Sequence, residues 1–341
     1  VKLHRSLFLI GHFAEEHIGS HFKVAASELH LHAQTLDIDL SKSEFSFLNK
    51  LVWRVGRKAF WKQSSFQNTI KERFNENRSD VLLVTGCAPI LKSTLQNLSS
   101  RGIKTVNFLT DDPWSLSHRS SRFLEALPEY DLLATPRKSN LEELRLITNK
   151  KVIYLPFAYN RSIHFEETTL TPDEQNRLSC DVLFFGGADA DRLPYIKSII
   201  RAGFSVALFG GYWDRDPETR PYHLGIAPLG TIRKAVKASK VVLNLVRRSN
   251  RDGHVMRSFE VPAMGGCMLT EDTEEHREIF GTANVPFFKT SDEMLDQLKL
   301  LLSSREKRIQ FSKKAQAHIT AEKNTYTDRL KTVFDELGFT F

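Results

Sequence analysis

Arg257 and Glu260 stand about one helical turn apart in a segment whose order suits an anion. It reads as a strand over 241–246, a polar loop, a helix from about Arg257, then Gly265-Gly266 and a short apolar strand ending in Thr270-Glu271. A helix N-terminus aimed at a cleft presents unpaired N–H groups and the positive end of a dipole, which suits a diphosphate. Arg257 adds a guanidinium able to grip two phosphate oxygens, and Glu260 falls in reach of a ribose hydroxyl pair. Arg192 is the second cationic candidate, with Arg247, Arg248 and Arg251 in reserve. Two cations and a helix end can replace a metal, so no metal is expected. Asp37-Ile-Asp39 has the form of a metal-holding Asp-x-Asp, but its surroundings are wrong for one and it reads as chance.

Glycine pairs follow two further strands, Gly186-Gly187 and Gly210-Gly211, and allow close backbone approach. Tyr212 and Trp213 behind the second pair have two open roles, stacking on a nucleobase or packing an interface. In the first half, Asp111 and Asp112 follow an apolar strand directly and are fixed by Pro113. They are candidates for a general base or for acceptor binding, with Asp112 preferred as the base; the competing role is capping the turn from Trp114 onward. His12, in Gly11-His12-Phe13 after the first strand, is a third catalytic candidate, and His118 lies close to the aspartates in sequence.

These residues need a scaffold, and the pattern supplies one. Short apolar runs alternate with helical stretches throughout, the mark of a parallel, helix-covered sheet. Strands are expected over 7–10, 36–40, 81–85, 105–109, 132–135 and 152–155, then in Asp181-Val-Leu-Phe-Phe-Gly-Gly and over 205–209, 241–246, 267–270 and 285–288. The polar stretch 157–179 reads as the connection between two domains. A chain of 341 residues accommodates two domains. In such sheets ligands bind beyond the carboxyl ends of the strands.

Composition narrows the class. No apolar run approaches the ~18–20 residues of a membrane span, and the start reads as a first strand and not as a signal peptide. Cys87, Cys180 and Cys267 match no metal-ligand spacing and read as small buried thiols in a reducing compartment, with the cytoplasm as default. The net charge is +7, which is modest, and with no recognised motif nucleic acid is not an expected partner. Residues 45–62 carry Lys50, Arg54, Arg57, Lys58 and Lys62 with no acid, among Leu48, Trp53, Phe60 and Trp61. Such a helix either lies on an anionic membrane surface or packs its apolar stripe inward with its cations in water.

From Ser179 onward the pattern resembles the CgeB-like family of GT-B glycosyltransferases. Asp181-Val-Leu-Phe-Phe-Gly-Gly with Arg192 is similar to the opening of the family's donor domain, and Val206-Ala-Leu-Phe-Gly-Gly-Tyr-Trp to its next strand and turn. Ser239-Lys-Val-Val-Leu-Asn-Leu then leads to Arg257-Ser-Phe-Glu-x-Pro-Ala-Met-Gly-Gly-Cys-Met-Leu-Thr-Glu. Asn324-Thr-Tyr-Thr-Asp-Arg resembles the closing His-Thr-Tyr-x-x-Arg, with Asn324 for His. In the first half Val106-Asn-Phe-Leu-Thr-Asp-Asp-Pro-Trp, Tyr130-Asp-Leu-Leu-Ala-Thr and Tyr154-Leu-Pro-Phe-Ala also fit.

The resemblance implies an α/β GT-B protein of two Rossmann-like, doubly wound domains facing each other across a cleft. An acceptor-binding domain would span 1–165 and a donor-binding domain 175–341, the last helix able to pack back on the first domain. It implies transfer of a sugar from a nucleotide-diphosphate donor, UDP- or GDP-type, to a glycan, lipid-linked or cell-envelope acceptor. No cofactor beyond that co-substrate and no metal are expected, and the protein would be cytoplasmic, at the inner membrane face if residues 45–62 touch lipid. In the wider group a Glu-x7-Glu element lies where Asp252 and Glu260 stand here. By that alignment Glu260 holds the ribose, Asp252 faces the sugar hydroxyls, and the Gly253-His254-Val255-Met256 backbone faces the diphosphate. The alternatives are a non-catalytic nucleotide-sugar or glycan binder of the same fold, and another Rossmann-type enzyme such as an epimerase or dehydrogenase.

Overall fold

Strands built from unbroken apolar runs, Leu7–Ile10, Val81–Val84 or Val182–Phe184, are buried on both faces, as parallel sheets covered by helices require. The computed structural model describes residues 6–42, 62–77, 79–116, 119–251 and 253–339. The chain divides into two units, one of Val1–Pro156, Ser249–Arg251 and Tyr326–Phe341, the other of Phe157–Arg248 and Asp252–Thr325.

The first unit holds β1 (Ser6–Gly11), β2 (His32–Asp37), β3 (Val81–Thr85), β4 (Lys104–Phe108), β5 (Leu132–Thr135) and β6 (Lys151–Tyr154). Their order is β2-β1-β3-β4-β5-β6, all pairs parallel, with Leu7 opposite Val81. Strand order reverses between β1 and β3, the switch point of this sheet. Phe66, Ile70 and Phe74 of the helix Gln63–Glu76 fill the core beneath it, Phe74 meeting Phe8 edge to face at 4.9 Å.

The second unit holds β7 (Val182–Phe185), β8 (Val206–Phe209), β9 (Val241–Asn244), β10 (Met268–Glu271) and β11 (Phe287–Phe288). Their order is β11-β10-β9-β7-β8, again all parallel, with Val182 opposite Val241. The reversal here falls between β7 and β9. Threonines and a serine start the flanking helices where the sequence needs them: Thr171 in a reciprocal box with Glu174, Thr273 before Glu274–Phe280, Thr290 before Ser291–Ser303, and Ser304 before Arg305–Ala321.

Several expectations shift. The strand expected over 36–40 is β2, which ends at Asp37; the Asp37 carboxylate accepts the Asp39 N–H at 2.8 Å and starts a 3-10 turn, Ile38–Ser41. As an edge strand paired only with β1, β2 has no need of an apolar run. The stretch 157–179 contains a helix, Pro172–Leu178. Its first residues belong to the second unit, where Tyr159 bridges to Thr325, so the first unit's leading segment ends at Pro156 and not at 165. The helix Tyr326–Glu336 belongs to the first unit, its Tyr326 ring stacked on His21 at 5.0 Å. The basic stretch 45–62 lies outside the described residues apart from Lys62. No helix among the described residues is long and apolar enough to cross a membrane.

Candidate functional site

At the switch point of the second unit, β7 runs out into Gly186-Gly187 and β9 into Leu245-Val246, and two arginines close over the ends. Arg257 donates from Nη1 to the Phe185 carbonyl at 2.8 Å and from Nη2 to the Leu245 carbonyl at 3.0 Å. Arg192 donates to the Gly187 carbonyl at 3.0 Å and to the same Leu245 carbonyl at 3.5 Å. Both guanidiniums lie over the Phe184 ring, at 4.9 and 5.6 Å. Arg192 has Asp189 at 3.5 Å, whereas the hydrogen bonds of Arg257 go to carbonyls. Burial pulls Arg257 down to about 9, with the Arg192 charge adding to it, and burial also lowers Arg192. The Nε atoms of both are buried with no hydrogen-bond acceptor among the described residues. Of the reserves, Arg248 pairs with Glu271 and Arg251 is engaged in the first unit.

The glycine pairs split by role. Gly186 (φ 139°) and Gly210 (φ 119°) need glycine for the protein's own packing. A Cβ on Gly210 would stand 2.4 Å from the Gly186 carbonyl oxygen, and one on Gly186 2.7 Å from Arg257 Nη1. At these two positions the side a Cβ would occupy is filled by the protein itself. Gly187 and Gly211 differ: a Cβ on the first meets only ordinary contacts from 3.7 Å, and one on the second meets nothing within 4 Å. Trp213 is buried, donating Nε1–H to the Gly186 carbonyl at 2.8 Å, so it serves the core. Tyr212 stays 56 % exposed, held at φ 76° with the Arg215 guanidinium 4.0 Å over its ring.

The loop before Arg257 is pinned from behind. Gly253 (φ 102°) packs so close to Glu275 that a Cβ would lie 2.9 Å from its carboxylate. The His254 ring accepts the Phe157 N–H at Nε2 (3.1 Å), which places its proton on Nδ1 for Glu275 at 2.6 Å. Val255 donates its N–H to Ser258 Oγ at 3.2 Å, so that amide is spent within the loop and does not face a diphosphate. The N–H groups of Met256 and Arg257 have no hydrogen-bond acceptor among the described residues. The helix itself is only Arg257–Ala263, and all of it is buried. Asp252 lies outside the described residues.

Sequence reasoning missed the polar core that holds this helix. Ser258 Oγ contacts His276 Nε2 at 2.8 Å, while Asn244 Nδ2 reaches both Ser258 and Thr270 at 3.1 Å. It also missed His164, whose Nε2 lies 3.7 Å from Glu260 Oε1; a lone histidine in a polar connection gave no signal. Glu260 is 6 % exposed, and burial pushes its carboxyl up to about 7 against the pull of Arg257.

In the first unit the aspartates are tied up. Asp112 is buried; Oδ1 accepts from the Trp114 N–H at 3.0 Å and Asn140 Nδ2 at 3.2 Å, and Oδ2 from Arg251 Nε at 2.7 Å. With both oxygens engaged and an internal cation in place, Asp112 is not set up to take a substrate proton, and the capping role is the one seen. Asp111 accepts from Asn250 Nδ2 and Thr110 Oγ1, each at 3.0 Å. Arg251 (φ 72°) also pairs with Glu143. His12 sits at the β1 end, at the switch point, half-buried, with Nδ1 3.6 Å from Asp37 and 3.5 Å from Asp39. Burial lowers its pKa against the opposing pull of Asp39. These three are close enough to share a cation, although Lys42 already stands 2.5 Å from the Asp39 carboxylate. His118 lies outside the described residues.

Solved structures of the same build decide the architecture. Sucrose-phosphate synthase from Thermosynechococcus elongatus superimposes with a TM-score of 0.69 at 8 % identity, covering 98 % of this chain and 99 % of its own. Anabaena Alr3699/HepE, solved with UDP and glucose, gives 0.62 at 12 % identity over 98 % and 100 %. The fold is GT-B. The GT-B fold also accommodates other chemistry, since a putative UDP-N-acetylglucosamine 2-epimerase from Listeria monocytogenes matches at 0.57, 12 % identity, over 99 % and 98 %. Residues 192–335, which take in most of the second unit and, from the first, 249–251 and most of the helix Tyr326–Glu336, match the glycosyl transferase-like family. No curated protein matches the sequence.

Proposed function

We propose that this chain is a glycosyltransferase of the CgeB-like kind, moving a sugar from a nucleoside diphosphate donor to a hydroxyl of a glycan or lipid-linked acceptor of the cell envelope. One observation carries the reading: Arg192 and Arg257, two buried guanidiniums, converge on one carbonyl at the switch point of the donor-side sheet. Burial lowers the pKa of both guanidiniums even though Glu260 and Asp189 act on Arg257 and Asp189 and Glu271 on Arg192, so holding both charged is costly, and a diphosphate offsets that cost. The UDP bound to Anabaena HepE supports a UDP-type donor here.

In the reaction the bond from the anomeric carbon to the β-phosphate oxygen breaks, and its electron pair leaves with the nucleoside diphosphate. Charge grows on that oxygen in the transition state, where fixed guanidiniums stabilise it most, and no metal is needed. The acceptor oxygen bonds to the anomeric carbon and gives up its proton. His12, kept neutral by burial, is the proton acceptor we assign, in place of Asp112. Glu260 accepts from the ribose hydroxyls, and Tyr212 offers a ring face to the base. Free, buried Cys180 and Cys267 support a cytoplasmic setting.

Calorimetric titration with UDP, GDP and their glucose or mannose conjugates tests the site, and mass spectrometry of the products tests the chemistry. Binding that is lost in Arg257→Met, together with sugar transfer or donor hydrolysis, supports the proposal. Epimerised donor with no transfer would favour the epimerase reading that the Listeria match supports. Absence of any nucleoside diphosphate binding would overturn both.

A further inference from the structure

We infer that His164 is a positioning residue for Glu260, orienting its carboxylate toward the two ribose hydroxyls of the nucleotide; this rests on the ribose role proposed for Glu260. The histidine closes a tight turn: its ring Nδ1 accepts the Asn160 N–H at 3.0 Å, and its backbone N–H donates to the Asn160 carbonyl at 2.7 Å. The neighbouring Ile163 carbonyl accepts from Arg233 Nη1 at 3.0 Å, and the same guanidinium covers the Phe165 ring at 4.1 Å and pairs with Glu167 at 2.9 Å.

An acceptor role at Nδ1 assigns the proton of the neutral ring to Nε2. That proton-bearing nitrogen is the atom 3.7 Å from Glu260 Oε1, with both side chains almost entirely enclosed, at 1 % and 8 % exposure. The separation is about 0.8 Å longer than a typical N–H···O bond and short enough to become one with a rotamer adjustment. A carboxylate receiving two hydroxyl protons must be ionised and fixed in plane. In so enclosed a place an aimed N–H favours the ionised form and fixes the plane together. The hydrogen bonds of the Arg257 Nη atoms go to the Phe185 and Leu245 carbonyls and not to Glu260.

The experiment uses the full chain, titrated calorimetrically with UDP, 2′-deoxy-UDP and inorganic pyrophosphate, or with the GDP pair if the wild type binds GDP more tightly. The wild type should prefer the ribonucleotide by about tenfold, the size of one hydrogen bond to a charged group. His164→Ala should lose most of that ratio while its pyrophosphate affinity stays within about twofold, because the arginines are untouched. His164→Gln, which keeps a side-chain N–H and more of the packing, should retain the ratio in part. An undiminished ratio in His164→Ala, with Glu260→Gln abolishing it, sinks this inference and leaves the ribose reading standing. No ratio in the wild type, or none lost in Glu260→Gln, removes the ribose reading and this inference with it. Loss of pyrophosphate binding in both His164 variants would make the histidine a packing element and also overturn the inference.

Discussion

Arg192 and Arg257 donate to one and the same carbonyl, that of Leu245, from 3.5 and 3.0 Å. The carbonyl just beyond β9 is thus a shared anchor for both charges, and the Phe184 ring lies beneath both guanidiniums.

Replacing Arg257 with Met should cost about a hundredfold in nucleoside diphosphate affinity, the loss of a bidentate charge-assisted contact. Arg257→Lys should not restore it, since an ammonium cannot reach two carbonyls and a phosphate in one plane. Titration calorimetry reads both. Affinity unchanged in the Met variant would remove the arginine pair from the site.

Glu260 sets a pH dependence. Its folded carboxyl titrates near 7, above the unfolded value, so its contribution to stability is fully present below the unfolded value and is lost as pH rises toward and through 7. Glu260→Gln should therefore stabilise the ligand-free protein above pH 7 by on the order of 2–3 kcal/mol relative to wild type, with little difference near pH 4. Nucleotide affinity, which needs the ionised form, should rise over the same window in wild type and stay flat in the variant. Denaturant melts and titrations across pH 4–8 measure both slopes.

Asp112 and His12 should fail in opposite ways. Asp112→Ala removes the buried acceptor of the Trp114 N–H and Asn140 and one partner of half-exposed Arg251, and should lower stability by about 1–3 kcal/mol. His12→Ala should leave the melting temperature within a few degrees and lower kcat by about 10²-fold. Because the pKa of His12 is lowered, the acid limb of kcat/KM should fall below the ordinary imidazole value. A limb at or above that value would argue against His12.

Gly210→Ala should destabilise by ~2–4 kcal/mol, combining a left-handed backbone with a clash on the Gly186 carbonyl. Gly211→Ala should fold like wild type, and any loss it shows should be in nucleotide affinity. Urea melts separate the two.

What was legible follows from what is local. Apolar runs such as Val81–Thr85 and Val182–Phe185 announced their strands because both faces must be dry. Arg257, Glu260 and Arg192 stood out through their spacing from strand ends. What failed depended on partners distant in sequence. Nothing around Asp111-Asp112 foretold that Asn250 and Arg251 would occupy their carboxylates. Nor did Gly186-Gly187 reveal which glycine faces protein and which faces space. β2 was misplaced because an edge strand has little apolar signature.

The helix Tyr326–Glu336 has a consequence for biogenesis. Tyr326, Leu330, Val333 and Phe334 are buried in the first unit, with Tyr326 edge-on to Phe22 at 5.3 Å. The segments of the first unit that precede the second thus lack part of their interior until Tyr326–Glu336 has been synthesised, and the apolar surface this helix covers stays open to solvent meanwhile.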